Sequence, residues 1–221
     1  VVSVMLKLGV YVVNFKNYEY LDACVVSIRD SYCSANVKVS LLENTPINER
    51  RNILKSTLDS VDDVRYSDGL PLVRLLNEQA KFIVENDYTV WISSDDMVRP
   101  ERFQLQIEYL ERDYKAAFCH TKVCYIDAKG TYKGIREVNT KGGNVFREYI
   151  NGIISIATPS IMYRSETLHK NMPYNEGLFV EDFYMLSKIL RDNPCTYIDS
   201  DLTYYRRHAG QVSTERWARL T

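Results

Sequence analysis

"TVWISSDDMVRPERF", residues 89–103, decides how the rest of the chain is read. Val90, Trp91 and Ile92 form an apolar, β-branched and aromatic run that suits a buried strand. Pro100 and Glu101 suit the first turn of a helix, with Asp96 in the N-cap region before it. Capping accounts for one acid, and Asp95 and Asp96 are two. Adjacent carboxylates repel each other and are poor strand formers. Paired oxygen ligands at a strand end suit Mg²⁺ or Mn²⁺, which bind through one or two carboxylates plus the oxygens of a diphosphate.

The same pattern repeats outward from this stretch. Strands are expected at 9–15, 37–42, 64–66, 88–93, 116–126 and 196–198, from apolar runs with β-branched content. Leu21, Cys24, Val25 and Ile28 repeat at helical spacing, as do Leu72, Leu75, Leu76 and Ala80, and Phe103, Ile107, Leu110 and Tyr114. Residues 145–152 and 179–191 also read as helices, the second with Phe183, Leu186 and Leu190 on one face. Residues 127–144, with Gly130, Gly134, Gly142 and Gly143, read as a hairpin followed by a mobile loop. Strands alternating with helices imply an α/β fold with a mostly parallel central sheet covered on both faces. No repeat, low-complexity tract or linker divides the chain, so one domain over 1–221 is expected.

Composition limits the function classes. At 221 residues with 45% hydrophobic content, the chain can bury one large core. Lys+Arg 28 against Asp+Glu 29 gives a net charge of -1, without the basic field that draws a protein to nucleic acid. Any phosphate site is local. Cys24, Cys33, Cys119, Cys124 and Cys195 contain no C-x-x-C pair and read as free thiols in a reducing compartment. The weakly polar stretch 153–163 is too short to span a bilayer. The opening residues lack the charged start and cleavage site of a signal peptide. A cytoplasmic protein is expected, with peripheral contact at the inner face of a membrane left open.

Ligands of open α/β sheets bind beyond the carboxyl ends of the strands. The expected ends carry Asn14-Phe15-Lys16-Asn17-Tyr18, Glu43-Asn44-Thr45-Pro46, Ser67-Asp68-Gly69 and Ser93-Ser94-Asp95-Asp96. Turn chemistry explains any one of these loops taken alone. The paired acids of the fourth favour a ligand.

Three stretches carry a family resemblance. "VWISSDDMVRPERFQLQIEYLERD" (90–113), "GLFVEDFYMLSKIL" (177–190) and "YYRRHAGQVST" (204–214) resemble, in order and spacing, motifs of the family 2 glycosyltransferases. These are inverting enzymes with a nucleotide-diphospho-sugar-binding, Rossmann-like GT-A fold. The resemblance runs from about Gly9 to Thr214. It implies a nucleotide-binding half at 1–96 and an acceptor-binding, catalytic half at 97–221.

Residue by residue, the resemblance implies that Asp95 coordinates Mn²⁺ or Mg²⁺, with Asp96 supporting it and Ser94 in the same donor loop. Ser93 stands where most members have the first Asp of Asp-x-Asp; it can bond a ribose but brings no charge. "LLENTP" (41–46) resembles the nucleoside-holding loop, with Glu43 in place of the usual Asp and Asn44 after it. Asn14 falls where nucleobase contacts are made, and Arg74 and Asn77 fall in a stretch assigned to diphosphate or base. Asp182, beside Glu181, corresponds to the general base. Thr158 lies where the acceptor site is shaped. Arg206 or Arg207 would face the leaving diphosphate, and His208 would approach the metal or diphosphate.

The implied reaction moves a sugar from a nucleoside diphosphate, most often UDP, to a saccharide or lipid-linked acceptor in surface-polysaccharide assembly. Other readings stay open. Glu181 and Asp182 also suit an acidic first helical turn. A degenerate sugar- or nucleotide-binding module would explain Ser93 and Glu43 as departures. A nucleotidyltransferase would need a Gly-rich basic loop after the first strand, which "NFKNYEYL" (14–21) is not. His120 and His169 are read as structural, and most of the 17 tyrosines as amphipathic core edges.

Overall fold

The computed structural model describes residues 5–178 and 181–211. Alternation along the first strand sets the layers. In β1 (Lys7–Asn14), Leu8, Val10 and Val12 point into one core and Tyr11 into the other, as a period of two requires. The first core packs the sheet against α1 (Tyr18–Arg29), whose Leu21, Cys24, Val25 and Ile28 face inward. β2 (Asn36–Glu43), α2 (Lys55–Asp59) and β3 (Asp63–Tyr66) follow. The second core takes α3 (Leu72–Glu78) and α4 (Ala80–Ile83), one expected helix split at Gln79.

β4 (Tyr88–Ser93) is central, and β5 (Met97–Val98) comes only three residues later. α5 (Arg102–Arg112) starts with Glu101 at its N-cap and without a side-chain cap bond. The expected capping by Asp96 is therefore corrected: its carboxylate is taken by another group, described below. β6 (Phe118–Asp127) and β7 (Tyr132–Ile135) form the expected hairpin, closed by Gly130 at φ +83°. After α6 (Phe146–Ile150) and a 3₁₀ turn (Thr158–Ser160) come β8 (Met162–Arg164), α7 (Ser165–Asn171), α8 (Glu181–Asp192) and β9 (Thr196–Arg207). The last strand is far longer than the expected 196–198. The expected helix residues 179 and 180, and the motif residues 212–214, lie outside the described residues.

One sheet joins the nine strands in the order β3-β2-β1-β4-β8-β6-β9-β5, with β7 paired to β6. β1, β2, β3, β4, β6 and β9 run the same way, and the short β5, β7 and β8 run against them. The expected α/β fold with a mostly parallel sheet is thus present. Its curl has a simple cause. β4 and β5 lie far apart along the sheet path, yet Ser93 and Met97 are four residues apart, a span no backbone stretches beyond about 14 Å. The sheet bends until β5 reaches β4, and β9, paired to β5 at Met97↔Tyr204 and Val98↔Thr203, comes with it. The turn carrying Asp95 and Asp96 forms the seam.

Candidate active site at the sheet seam

Three parallel strand ends are tied by a buried polar relay. Ser94 Oγ donates to Asn14 Oδ1 at 2.7 Å, and Asn14 Nδ2 donates to Glu43 Oε2 at 2.6 Å. Glu43 Oε1 accepts from the Tyr18 hydroxyl at 3.1 Å and from the Thr45 backbone N–H at 2.8 Å. Asn14, Glu43 and Ser94 are each 0% exposed. Asn14, Glu43 and Ser94, expected at the nucleotide, are here bonded to one another. An enclosed carboxylate with both oxygens engaged has none to offer a base or ribose, and it acts by fixing the loops around it. Asn44 is likewise turned inward, its amide bonded to the backbone of Leu70 through both Oδ1 and Nδ2.

At the seam, His208 Nε2 stands 3.0 Å from Asp95 Oδ2, with both side chains nearly buried. The sheet curl makes this contact, because His208 directly follows β9. The Tyr20 ring packs 4.9 Å from the imidazole, and the Arg206 guanidinium lies 4.6 Å over the same ring. Asp96 Oδ1 accepts the backbone N–H of Arg206 at 2.9 Å, while Asp96 Oδ2 is buried without a hydrogen-bond partner. Burial, reinforced by the Asp95 charge, pushes the Asp96 carboxyl well above the usual carboxylate range.

Arg206, expected with Arg207 as an alternative at the diphosphate, clamps the turn. Its Nε donates to the Asp95 carbonyl at 2.8 Å, and its Nη1 to the carbonyls of Asp127 and Ala128 at 3.1 and 3.3 Å. Arg207 is exposed and lies over the Tyr125 ring at 4.2 Å. Ser93 is exposed at the end of β4, and its carbonyl accepts the Asp96 N–H at 3.0 Å.

The second half of the site comes from the turn before β8. Since β8 is antiparallel to β4, with Tyr163 opposite Thr89, that turn lies toward the carboxyl end of β4. Thr158 Oγ1 donates to Asp182 Oδ2 at 3.0 Å, which places the first turn of α8 at the same sheet edge. Glu181 is buried beside it at 4% exposure. The Asp182 charge reaches Tyr149, Tyr163 and Tyr174, all buried, and burial above all pushes those phenols up, so they remain neutral hydroxyls.

Asn77, expected at the diphosphate or base, is bonded to the segment before α8. Its amide pins the chain at Tyr174, accepting the Tyr174 N–H at 2.7 Å and donating to its carbonyl at 3.0 Å. It lines a cleft of about 420 Å³ with Tyr174, Glu176 and Tyr184. Arg74 projects into solvent and faces Glu78 at 3.9 Å.

Among the described residues, no three His, Cys, Asp or Glu converge, and the donor atoms that meet at the seam are Asp95 Oδ2 and His208 Nε2. The two atoms meet at 3.0 Å, hydrogen-bond distance, so a cation held there would take the place of that bond. Two protein donors, with phosphate oxygens and water completing the shell, suit Mg²⁺ or Mn²⁺.

Sequence reasoning named Tyr18 and Thr45 only as members of strand-end loops and missed Tyr20. It also missed Arg102 and Gln106, buried in α5 and bonded to the carbonyls of Pro159 and Ser160 in the turn that carries Thr158. These two did leave a signal, since they sit four apart within the apolar repeat of α5.

No protein-family model and no curated protein matches the chain. Solved structures do. Residues 1–349 of S. aureus TarS in complex with UDP-GlcNAc match at a TM-score of 0.69 and 15% identity, over 95% of this chain and 61% of that one. The same segment in complex with UDP matches at 0.65 and 14%, over 97% and 63%. A longer TarS chain matches at 0.67 and 15%, over 97% of this chain and 38% of that one. These likenesses show a shared fold, and the chain spans less than two thirds of each TarS chain.

Proposed function

We propose that this chain is an inverting glycosyltransferase of the family 2, GT-A type, using a nucleoside diphosphate sugar and a divalent cation. The observation that carries the reading is one sheet edge holding two units: the Asp95–His208 pair and, across it, Asp182 on Thr158. The UDP and UDP-GlcNAc complexes of TarS support UDP as the donor's nucleotide. A saccharide or lipid-linked acceptor, surface-polysaccharide assembly and a cytoplasmic, membrane-peripheral setting belong to the same proposal.

Asp95 and His208 would hold the cation. When bound, Mn²⁺ or Mg²⁺ supplies positive charge to the diphosphate as it leaves. The chain's own groups do the rest. Arg206 and the Ser94–Asn14–Glu43 relay keep the Asp95 turn fixed, so that no reorganisation is needed as charge develops. Asp182 accepts the proton of an acceptor hydroxyl while that oxygen attacks the anomeric carbon. The bond from that carbon to the phosphate oxygen breaks on the opposite face, and configuration inverts. Thr158 orients the carboxylate, and the tyrosines around it exclude water.

Calorimetric titration of UDP, GDP and dTDP, with and without Mn²⁺, tests the reading on wild type and Asp95→Ala. Mn²⁺-dependent binding of one nucleotide, lost in the variant, is expected. If none binds with metal present, the transferase reading fails and a module without catalysis takes its place.

A further inference from the structure

α6 ends in a tight reversal that leaves apolar side chains outside. The Gly152 N–H donates to the Tyr149 carbonyl at 3.1 Å and the Ile153 N–H to the Glu148 carbonyl at 2.9 Å, with Gly152 at φ +68°. A left-handed glycine just past a helix lets the chain turn back at once. Ile150 and Ile153 flank the turn and are 42% and 56% exposed. Two neighbours extend the patch. Phe183, 44% exposed, stacks on Tyr149 with ring centroids 5.2 Å apart. Ile135, 36% exposed, ends β7, and the residues after it run beside the turn. There Arg136 Nη2 donates to Ser155 Oγ at 3.1 Å, and Asn139 Nδ2 to the Ile153 carbonyl at 3.0 Å.

Single apolar side chains on a surface need no explanation, but four gathered around one turn do. Their surroundings are basic. Residues 127–155 hold five Lys and Arg against three Asp and Glu, in a chain with 28 against 29 overall. Asp127 is answered by Lys133 at 2.9 Å and Glu148 by Lys141 at 2.7 Å, which leaves Glu137 against Lys129, Arg136 and Arg147. Arg147, exposed on α6, has no ion-pair partner among the described residues.

A stable protein interface buries about 800 Å² on each side around a closely packed centre. Four side chains spread over a turn, a strand end and a helix start offer no such centre. A lipid surface asks for less: shallow insertion of a few apolar groups, and anionic headgroups met by Lys and Arg.

We infer that the Ile150–Ile153 turn, with Ile135, Phe183 and Arg147, is a docking surface for an anionic lipid bilayer. It deepens the proposed function and rests on that reading for its purpose. Phe183 directly follows Asp182 in α8, and Thr158, a few residues past the turn, bonds the Asp182 carboxylate at 3.0 Å. A bilayer docked here presents a lipid-linked hydroxyl beside the general base, which selects the lipid-linked acceptor over a free saccharide.

The test is co-sedimentation with phosphatidylcholine vesicles, with and without phosphatidylglycerol. It compares wild type, the double variant Ile150→Ser/Ile153→Ser, Arg147→Glu and Val26→Ser, whose exposed valine lies on α1. Wild type is expected to bind the phosphatidylglycerol vesicles and to leave them as salt rises. The double variant is expected to bind them about 10–100-fold more weakly, and Arg147→Glu about 10-fold. Val26→Ser is expected to match wild type. UDP affinity in Mn²⁺ is expected to be equal in all four, since no substituted residue belongs to the nucleotide or transfer machinery. A wild type that binds no vesicle, binds both compositions equally, or loses nothing on double substitution overturns the docking surface. Self-association of wild type that the double variant abolishes, read by sedimentation velocity, overturns it in favour of a second copy. Vesicle binding that depends on the turn, in a wild type without nucleotide affinity, overturns the proposed function and leaves the lipid surface standing.

Discussion

Around Asp95, the polar groups of three strand ends bond to one another and Arg206 clamps the turn itself, whereas Asp182 accepts from the Thr158 hydroxyl beside Glu181 and the rings of three buried tyrosines. The first region concentrates fixed charge behind the proposed cation seat. The second keeps neutral phenols next to two carboxyl groups, Asp182 and the buried Glu181. A reaction that separates charge between leaving group and attacking oxygen needs both surroundings, and a single uniform pocket supplies only one.

The contrast can be broken at several points. Asp182→Asn should reduce sugar transfer about 10²–10⁴-fold while leaving Mn²⁺-dependent UDP binding intact, measured by steady-state kinetics beside calorimetry. Equal loss of both would merge the two regions into one.

The aromatic side extends to His120, buried between Phe118 and Tyr197, where burial lowers its pKa from 6.5 to about 4. The folded protein keeps this imidazole neutral, so between pH 6.5 and about 4 the unfolded chain takes up a proton that the folded chain refuses. Stability present above pH 6.5 should fall by up to about 3 kcal/mol across that window as pH drops. Urea titrations on wild type and His120→Gln check this, and the variant should show the shallower slope.

On the polar side, Glu43→Gln sets an amide donor against Asn14 or Thr45 and should cost about 1–3 kcal/mol of stability, read from the urea midpoint. The smallest effect belongs to Arg74→Ala. Its exposed pairing with Glu78 predicts a change within about 0.5 kcal/mol and unaltered nucleotide affinity. A large loss of affinity there would return Arg74 to the diphosphate.

Much of the scaffold was legible because its strands alternate or run apolar, as in Val90-Trp91-Ile92. β9 was cut short at residue 198 because Asp199, Ser200 and Asp201 interrupt the pattern where its pairing with β6 shifts register. β5 is two residues long and exists through its pairing with β9, so no local window reveals it. In the site, the stretch at 93–96 and His208 were visible as a motif. The hydrogen bonds that Asn14, Glu43 and Arg206 make within the protein were not legible, for one reason. A polar residue at a strand end is equally suited to face a ligand or to tie neighbouring loops, and only the tertiary pairing decides.

The curl that brings β9 against the Asp95 turn also sets an order of events. Asp95 and His208 are 113 residues apart in the chain. At ribosomal speeds of about 5–20 residues per second, the carboxylate leaves the peptidyl-transfer centre on the order of ten seconds before its imidazole partner is made. Strands β1 to β4 can pair in that interval, but the Asp95–His208 contact at the seam waits for β9. If the proposed function holds, nucleotide capture is a late report on folding, since a chain that grips nucleotide has already docked β9.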